Sequence, residues 1–257
     1  MAHHHGFPIK AFGNDALMAN LCNNVIKYIL IALIFLFCVT FVIKFAGPNL
    51  LRQYVSIGIG DCKNIPILCM QPRDLVFLPE INQEYLDTLV PRKFPKMSIS
   101  SPRGFALVQE LIKKDYYKKR HAHNRAIIYL LVQEPDAFIK LYPDVRKQGV
   151  RDNYEFIRRL MNANLGKIEN ITDAFFTIVK SVFTPDIGNQ KIAKMIKFEL
   201  ADKKGFINYT MAKPDNYFDC NVLDARGNFF KVYIKDIGAR LDLNNVFTII
   251  STLKTID

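Results

Sequence analysis

Hydrophobic and polar positions along this chain fall into three successive patterns. The first is an unbroken apolar run, Val25 to Ile43, VIKYILIALIFLFCVTFVI. Tyr28 to Ile43 carry no charge, and Lys27 and Lys44 bracket them. A helix crossing a bilayer core of about 30 Å needs roughly 20 mostly apolar residues. The run meets that length if the two lysines extend their ammonium groups to the head groups. Leu30 to Phe37 is apolar all the way round, unlike a helix that buries one stripe on a core. The run also starts late and ends in Lys44-Phe45 instead of a small-residue cleavage site, which argues against a removed signal peptide. The expectation is a tail over 1–24, a single transmembrane helix over 25–46 and one C-terminal domain.

The second pattern covers residues 47–102. Seven prolines, Pro48, Pro66, Pro72, Pro79, Pro91, Pro95 and Pro102, break any regular period. Proline removes a backbone donor and biases its predecessor toward extended geometry. The stretch still carries many apolar residues, among them Leu68, Leu75, Phe77, Leu78, Tyr85, Leu86 and Phe94. Apolar residues on a long loop need a surface to cover them, either the chain's own domain or a neighbouring subunit. The reading is an extended proline-rich arm that contacts neighbours, with one short helix near Pro79 to Val90 capped by Asn82.

The third pattern, 103–257, is that of a folded domain. Ser100-Ser101-Pro102 has the form of a helix start. Phe105, Val108, Ile112, Tyr116, Ala122, Ala126 and Leu130 then recur near the helical period. Further helices are expected over Asp136–Tyr142, after Asp152 or Asn153 (stripe Phe156, Ile157, Leu160, Met161), and after Asn170 or Thr172. The last of these has a wide apolar face of Ile171, Ala174, Phe175, Ile178, Val179, Val182 and Phe183. After Gly188 the period becomes two. Met195–Leu200, Phe206–Met211, Tyr217–Leu223 and Phe229–Lys235 read as four strands joined by short turns, an antiparallel meander. Phe218, Cys220 and Val222 share one face. Phe230, Val232 and Ile234 point in, with Lys231, Tyr233 and Lys235 out. Leu241–Ile256 reads as a final helix capped by Asp242 or Asn244.

The fold class is therefore α+β, with a helical layer on one face of a four-stranded antiparallel sheet. In architecture alone this resembles cystatin-like and NTF2-like domains. No stretch carries a motif of either.

Charge adds a preference for partners. The chain has 35 Lys+Arg and 24 Asp+Glu; residues beyond 46 hold 32 and 23 of these, a net +9. A basic domain tethered to a bilayer favours anionic lipid heads or acidic faces of neighbouring subunits. The densest basic patch is Lys113, Lys114, Lys118, Lys119, Arg120 and Arg125, interleaved with Tyr116 and Tyr117. It is the candidate anionic-surface contact, weighed against an ordinary solvated helix face. No nucleic-acid-binding motif accompanies it, so no sequence-specific nucleic-acid partner is expected. Lys10 and Lys27 precede the apolar run and Lys44, Arg52 and Lys63 follow it, too even a balance to set an orientation.

Cysteine spacing adds one candidate bond. Cys62 and Cys69, in CKNIPILC, can close a small loop in an oxidising compartment. No pair has C-x-x-C spacing. His121 and His123 are two apart; on a helix they point about 200° away from each other and cannot share a metal. Asn170-Ile-Thr172 and Asn208-Tyr-Thr210 match the glycosylation sequon, at a frequency expected from the abundance of Asn.

The motifs of common chemistries are missing: no phosphate-binding G-x-x-x-x-G-K-[ST], no dinucleotide G-x-G-x-x-G, no G-x-S-x-G elbow and no H-E-x-x-H. The expectation is a non-catalytic, cofactor-free accessory or structural subunit of a larger membrane assembly. Its partners are other subunits of that complex and the bilayer, including anionic lipids. The alternative is a membrane-tethered ligand- or lipid-binding module.

Overall fold

The computed structural model describes residues 15–72, 75–109, 125–183, 194–212 and 214–256. It divides into two compact units, residues 1–50 and 51–257.

The first unit is the N-terminal part of one long helix, α1 (Asp15–Ile59). Its described stretch Lys27–Ile59 is long and apolar enough to cross a membrane, with a mean hydropathy of 2.8 and none of the most apolar window buried. Thr40 returns its hydroxyl hydrogen to the Leu36 carbonyl, so this hydroxyl stays satisfied inside the helix. Pro48 lies inside the helix and has no N–H to give the carbonyl four residues back.

The second unit starts with the last turns of α1. Val55 is buried against Leu68, Leu165, Ile168 and Ala174, and Arg52 Nε donates to the Ile168 carbonyl at 3.1 Å. Gly60, at φ +107°, ends the helix in a conformation that side chains disfavour.

The domain is built on a seven-stranded sheet in the order β1-β6-β7-β8-β9-β5-β4. Its strands are β1 (Val76–Phe77), β4 (Ala106–Gln109), β5 (Ile127–Gln133), β6 (Lys194–Glu199), β7 (Lys203–Ala212), β8 (Asp215–Asp224) and β9 (Phe229–Ile237). β6 to β9 form the antiparallel meander. β5 joins it antiparallel beside β9, while β4 and β1 are short parallel strands at the two edges. A second sheet, β2 (Val90–Lys93), β3 (Met97–Ser101) and β10 (Lys254–Thr255), runs in the order β10-β3-β2.

Helices cover both faces of the large sheet, where one covered face was expected. One face carries Ile128, Leu130, Phe198, Ile207, Phe218, Cys220, Val222, Phe230, Val232 and Ile234. It packs on α7 (Leu243–Ser251, capped by Asp242) and on Met97 and Ile99 of the small sheet. The other face offers Met195, Phe206, Leu223 and Phe229 to α3 (Ala137–Leu141), α5 (Asn153–Asn162, capped by Asp152) and α6 (Ile171–Phe183). Short α2 (Gln83–Thr88) and α4 (Asp144–Lys147) complete the helices among the described residues. Phe138 anchors the second layer, with ring centroids 4.8 Å from Phe156 and 4.9 Å from Phe229. Each such buried ring contributes about 1.5–3 kcal/mol.

Three expectations change. The stretch 47–102 is not an extended arm. Ile67, Leu68, Met97 and Ile99 are in the domain's own core, and β1, β2 and β3 are strands of its two sheets. The helix expected from Ser101-Pro102 is not formed over its ends: residues 106–109 and 127–133 are the parallel strands β4 and β5. Lys231 and Tyr233 do not face solvent but are buried, Lys231 beside Phe183 and Tyr233 in a cluster with Ile127, Tyr129 and Leu131.

Candidate functional site

The least ordinary chemistry in the domain sits on the sheet face beneath α6. Register places Asn208 of β7 opposite Asp219 of β8, and Asn221 of β8 opposite Lys231 of β9. Lys231 Nζ is 2.5 Å from Asp219 Oδ1 and donates to Asn221 Oδ1 at 2.9 Å. The Lys231 and Asp219 side chains are 1% and 3% exposed. The Lys231 ammonium also lies 5.4 Å from the centre of the Phe183 ring. Asn208 Oδ1, Thr210 Oγ1 and Asn221 Nδ2 are buried there without a hydrogen bond. Polar atoms in that condition are rare in native interiors.

This arrangement holds an ion pair in place beside an apolar cavity of about 30 Å³, lined by Phe138, Phe183, Phe229 and Lys231, which is too small for a substrate. A lysine nucleophile or general base must reach a substrate, and a carboxylate beside it favours the non-nucleophilic ammonium. Cys220 is on the opposite face, among Ile207 and Val232, and burial together with the Asp219 charge pushes its thiol pKa up. It is a core residue rather than a thiolate.

A second buried acid, Asp236, accepts from the Leu241 N–H at 2.7 Å. Burial raises its pKa, and burial with the Asp236 charge pushes the Tyr85 hydroxyl up to about 12. Such a phenol stays protonated at neutral pH and offers no base.

Lys180 is the third buried group. Its ammonium donates to the carbonyls of Met161 and Ala163 at 2.8 Å and of Met70 at 2.5 Å. Two of these lie at the C-terminal end of α5, where helix carbonyls lack intrahelical donors. The third follows the 3₁₀ turn Pro66–Cys69. Lys180 thus ties the Cys62–Cys69 loop to α5. Those two cysteines are disulfide-bonded with Cα atoms 5.6 Å apart, and Asn164 Nδ2 adds a bond to the Cys69 carbonyl at 3.1 Å. Burial pulls the Lys180 pKa down to about 7, while the three carbonyls oppose that pull by matching the three N–H groups of the ammonium.

Open concavities lie elsewhere. One of about 510 Å³ has Lys96, Arg226 and Glu134 on its walls. One of about 170 Å³ carries Glu199, Asp202 and Asp224 beside Lys203 and Lys204. One of about 380 Å³, on the small sheet, carries Arg92, Lys93 and Lys254 and, among the described residues, no carboxylate.

No family model matches the chain, and no curated protein matches it. The site is therefore read from its residues alone.

Of the candidate contacts named from the sequence, Arg125 is exposed just before β5. Lys113, Lys114, Lys118, Lys119 and Arg120 lie outside the described residues, as do His121 and His123. Among the described residues no group of three His, Cys, Asp or Glu could hold a metal ion. Asn208 of the second sequon is buried in β7, and Asn170 of the first accepts from the Asp173 N–H at 3.0 Å at the start of α6. Sequence reasoning missed Lys180, though its spacing with Phe176 and Phe183 on one helix face was a signal. It missed the cationic groove because two of its cations, Lys93 and Lys254, are about 160 residues apart in the chain.

Proposed function

We propose that this chain is a membrane-anchored, non-catalytic accessory or structural subunit of a larger multiprotein assembly. Its α1 run crosses the bilayer once, and its domain stands on the oxidising side. The observation that carries the subunit reading is on α6. The apolar face of that helix is wider than the domain covers: Ala174, Phe176 and Phe183 are buried, while Ile171 is 80% and Val182 59% exposed. Ile171, Phe175, Ile178 and Val182 follow one another at helical spacing, and Leu141 and Tyr142 continue the patch beside Phe175. An exposed stripe of this kind marks a surface for another protein. With Ile67, Leu68, Met97 and Ile99 of 47–102 committed to the domain core, α6 takes the role first given to the arm.

The disulfide supports the side. Such bonds persist in oxidising compartments and are rare where thiols are kept reduced. The near-tie of basic residues around α1 gives no opposing preference. Thiol labelling of the intact membrane tests it. Cys62 and Cys69 are expected to resist alkylation until a reductant is added, and immediate labelling of both would place the domain on the reducing side.

The alternative, a tethered ligand- or lipid-binding module, is favoured by the cationic groove on the small sheet. The two readings separate on particle mass and on Ile178→Glu with Val182→Glu. That variant is expected to release the chain from its assembly while leaving the fold intact. Retention in the same particle would remove α6 as the contact.

A further inference from the structure

The small sheet builds a row of charge across three strands. Lys93 of β2 and Lys254 of β10 are both register partners of Ser98 on the central strand β3. Directly opposed residues of antiparallel strands lie about 4.5–5.5 Å apart, so the two lysines flank the Ser98 hydroxyl on one face at roughly 10 Å separation. The other face of β3 is Met97 and Ile99, buried in the core. Arg92, the register partner of Ile99, belongs to the opposite face of β2 and touches the same 380 Å³ groove only at its rim.

Three features separate this groove from a solvated basic surface. First, its walls carry no acid among the described residues, whereas the two concavities above each hold carboxylates. Among the described residues none of Arg92, Lys93 and Lys254 makes an ion pair. Second, the cations are not committed to the nearby end of α7. The last carbonyls of that helix are capped by other groups: Ser251 Oγ donates to Thr248 O at 2.8 Å, Thr252 Oγ1 to Ile249 O at 2.7 Å, and Lys203 Nζ to Ser251 O at 3.2 Å. Third, the groove has an apolar floor in Leu86 and Pro91 and a volume within the 300–1,000 Å³ typical of small-molecule sites.

We infer that this groove binds a phosphate group, with Lys93 and Lys254 gripping it from opposite sides, Ser98 donating between them and Arg92 closing the rim. Three cations without a carboxylate match a dianion better than a single carboxylate, and ammonium groups bind phosphate oxygens as point charges. The apolar floor takes the carbon skeleton that bears the phosphate. That skeleton belongs either to a dissolved phosphorylated small molecule or to a lipid head group; the recognition chemistry is the same. The inference is independent of the assembly reading, which rests on α6.

The test is amine footprinting on the full chain in nanodiscs, with Lys63 as the internal reference. One arm adds inorganic phosphate to discs of neutral phosphatidylcholine. The other replaces part of the lipid with phosphatidic acid. Protection of Lys93 and Lys254 by threefold or more relative to Lys63 is expected in at least one arm. Protection by dissolved phosphate assigns a soluble ligand, and protection only by phosphatidic acid assigns a head group. Equal acylation of all three lysines in both arms overturns the site. Lys93→Gln with Lys254→Gln should weaken phosphate or lipid binding at least tenfold, and Lys63→Gln should leave it unchanged; equal loss in both variants also overturns it.

Discussion

Lys231 Nζ meets Asp219 Oδ1 at 2.5 Å on a buried sheet face, although alternation along β9 alone would have put the lysine in solvent. The cavity beside the pair, about 30 Å³, is too small for a substrate, so the effect of the pair is on stability and uniqueness of the fold. Removing one partner strands a buried charge. Lys231→Met is expected to destabilise the domain by about 3–5 kcal/mol, and Lys231→Met with Asp219→Leu by much less. Chemical denaturation followed by circular dichroism measures both; equal losses for the single and double variants would mean that the ion pair is not the relevant interaction.

Lys180 makes stability depend on pH in a defined window. The unfolded chain holds this proton up to the ordinary lysine value of 10.5, whereas the folded chain releases it near 7. Between those values the unfolded state binds more protons, so the contribution of Lys180 to stability rises with pH from about 7 to 10.5 and is flat below. The slope is at most about 1.4 kcal/mol per pH unit. Denaturation midpoints across this range are expected to lose that slope in Lys180→Met. The same variant leaves three buried carbonyls without their donor, at about 1–3 kcal/mol for an unsatisfied group.

The fold was legible where local signals and tertiary context agree. Asn82, Asp152 and Asp242 each accept a backbone N–H at the start of the helix they were expected to cap. The four strands β6 to β9 lie where alternation put them. What misled was β5. Its sequence IIYLLVQ is buried over Ile127–Leu131, so it has no alternation, and short apolar runs do not distinguish strand from helix by period. Ser101-Pro102 then supplied a false helix start, although Ser101 is the last residue of β3. The seven-stranded sheet followed from β5: once it pairs with β9, β4 can add at the edge. The cationic groove needs β2, β3 and β10 brought together, and no short-range pattern records that.

Gly205 marks the tightest place in the sheet. A Cβ built there would stand 1.9 Å from the Asn221 carbonyl oxygen and 3.1 Å from the Val222 Cα, both backbone atoms that cannot step aside. Gly205→Ala must part β7 from β8 or unfold them. A loss of about 3 kcal/mol or more is expected, with Phe206→Leu as a comparison of ordinary core damage; a melting temperature unchanged by Gly205→Ala would show that the strands separate easily.

Closing the Cys62–Cys69 loop restricts the unfolded chain. For a loop this short, chain entropy gives about 2–3 kcal/mol. Cys62→Ser with Cys69→Ser is expected to lower stability by that order and to loosen Ile67 and Leu68 first. Hydrogen exchange localised to residues 62–70 detects this; uniform exchange change across the domain would place the effect elsewhere.

The most direct test of the assembly account is the mass of the native particle, extracted in mild detergent from its source membrane, with cross-linking to identify neighbours. The account expects a particle much larger than the 29.6 kDa chain, with cross-links from Lys167 and Lys194, the lysines that flank α6 in sequence, to other proteins. A monomer or simple dimer with internal cross-links alone would contradict it, leaving the tethered binding module as the reading to pursue.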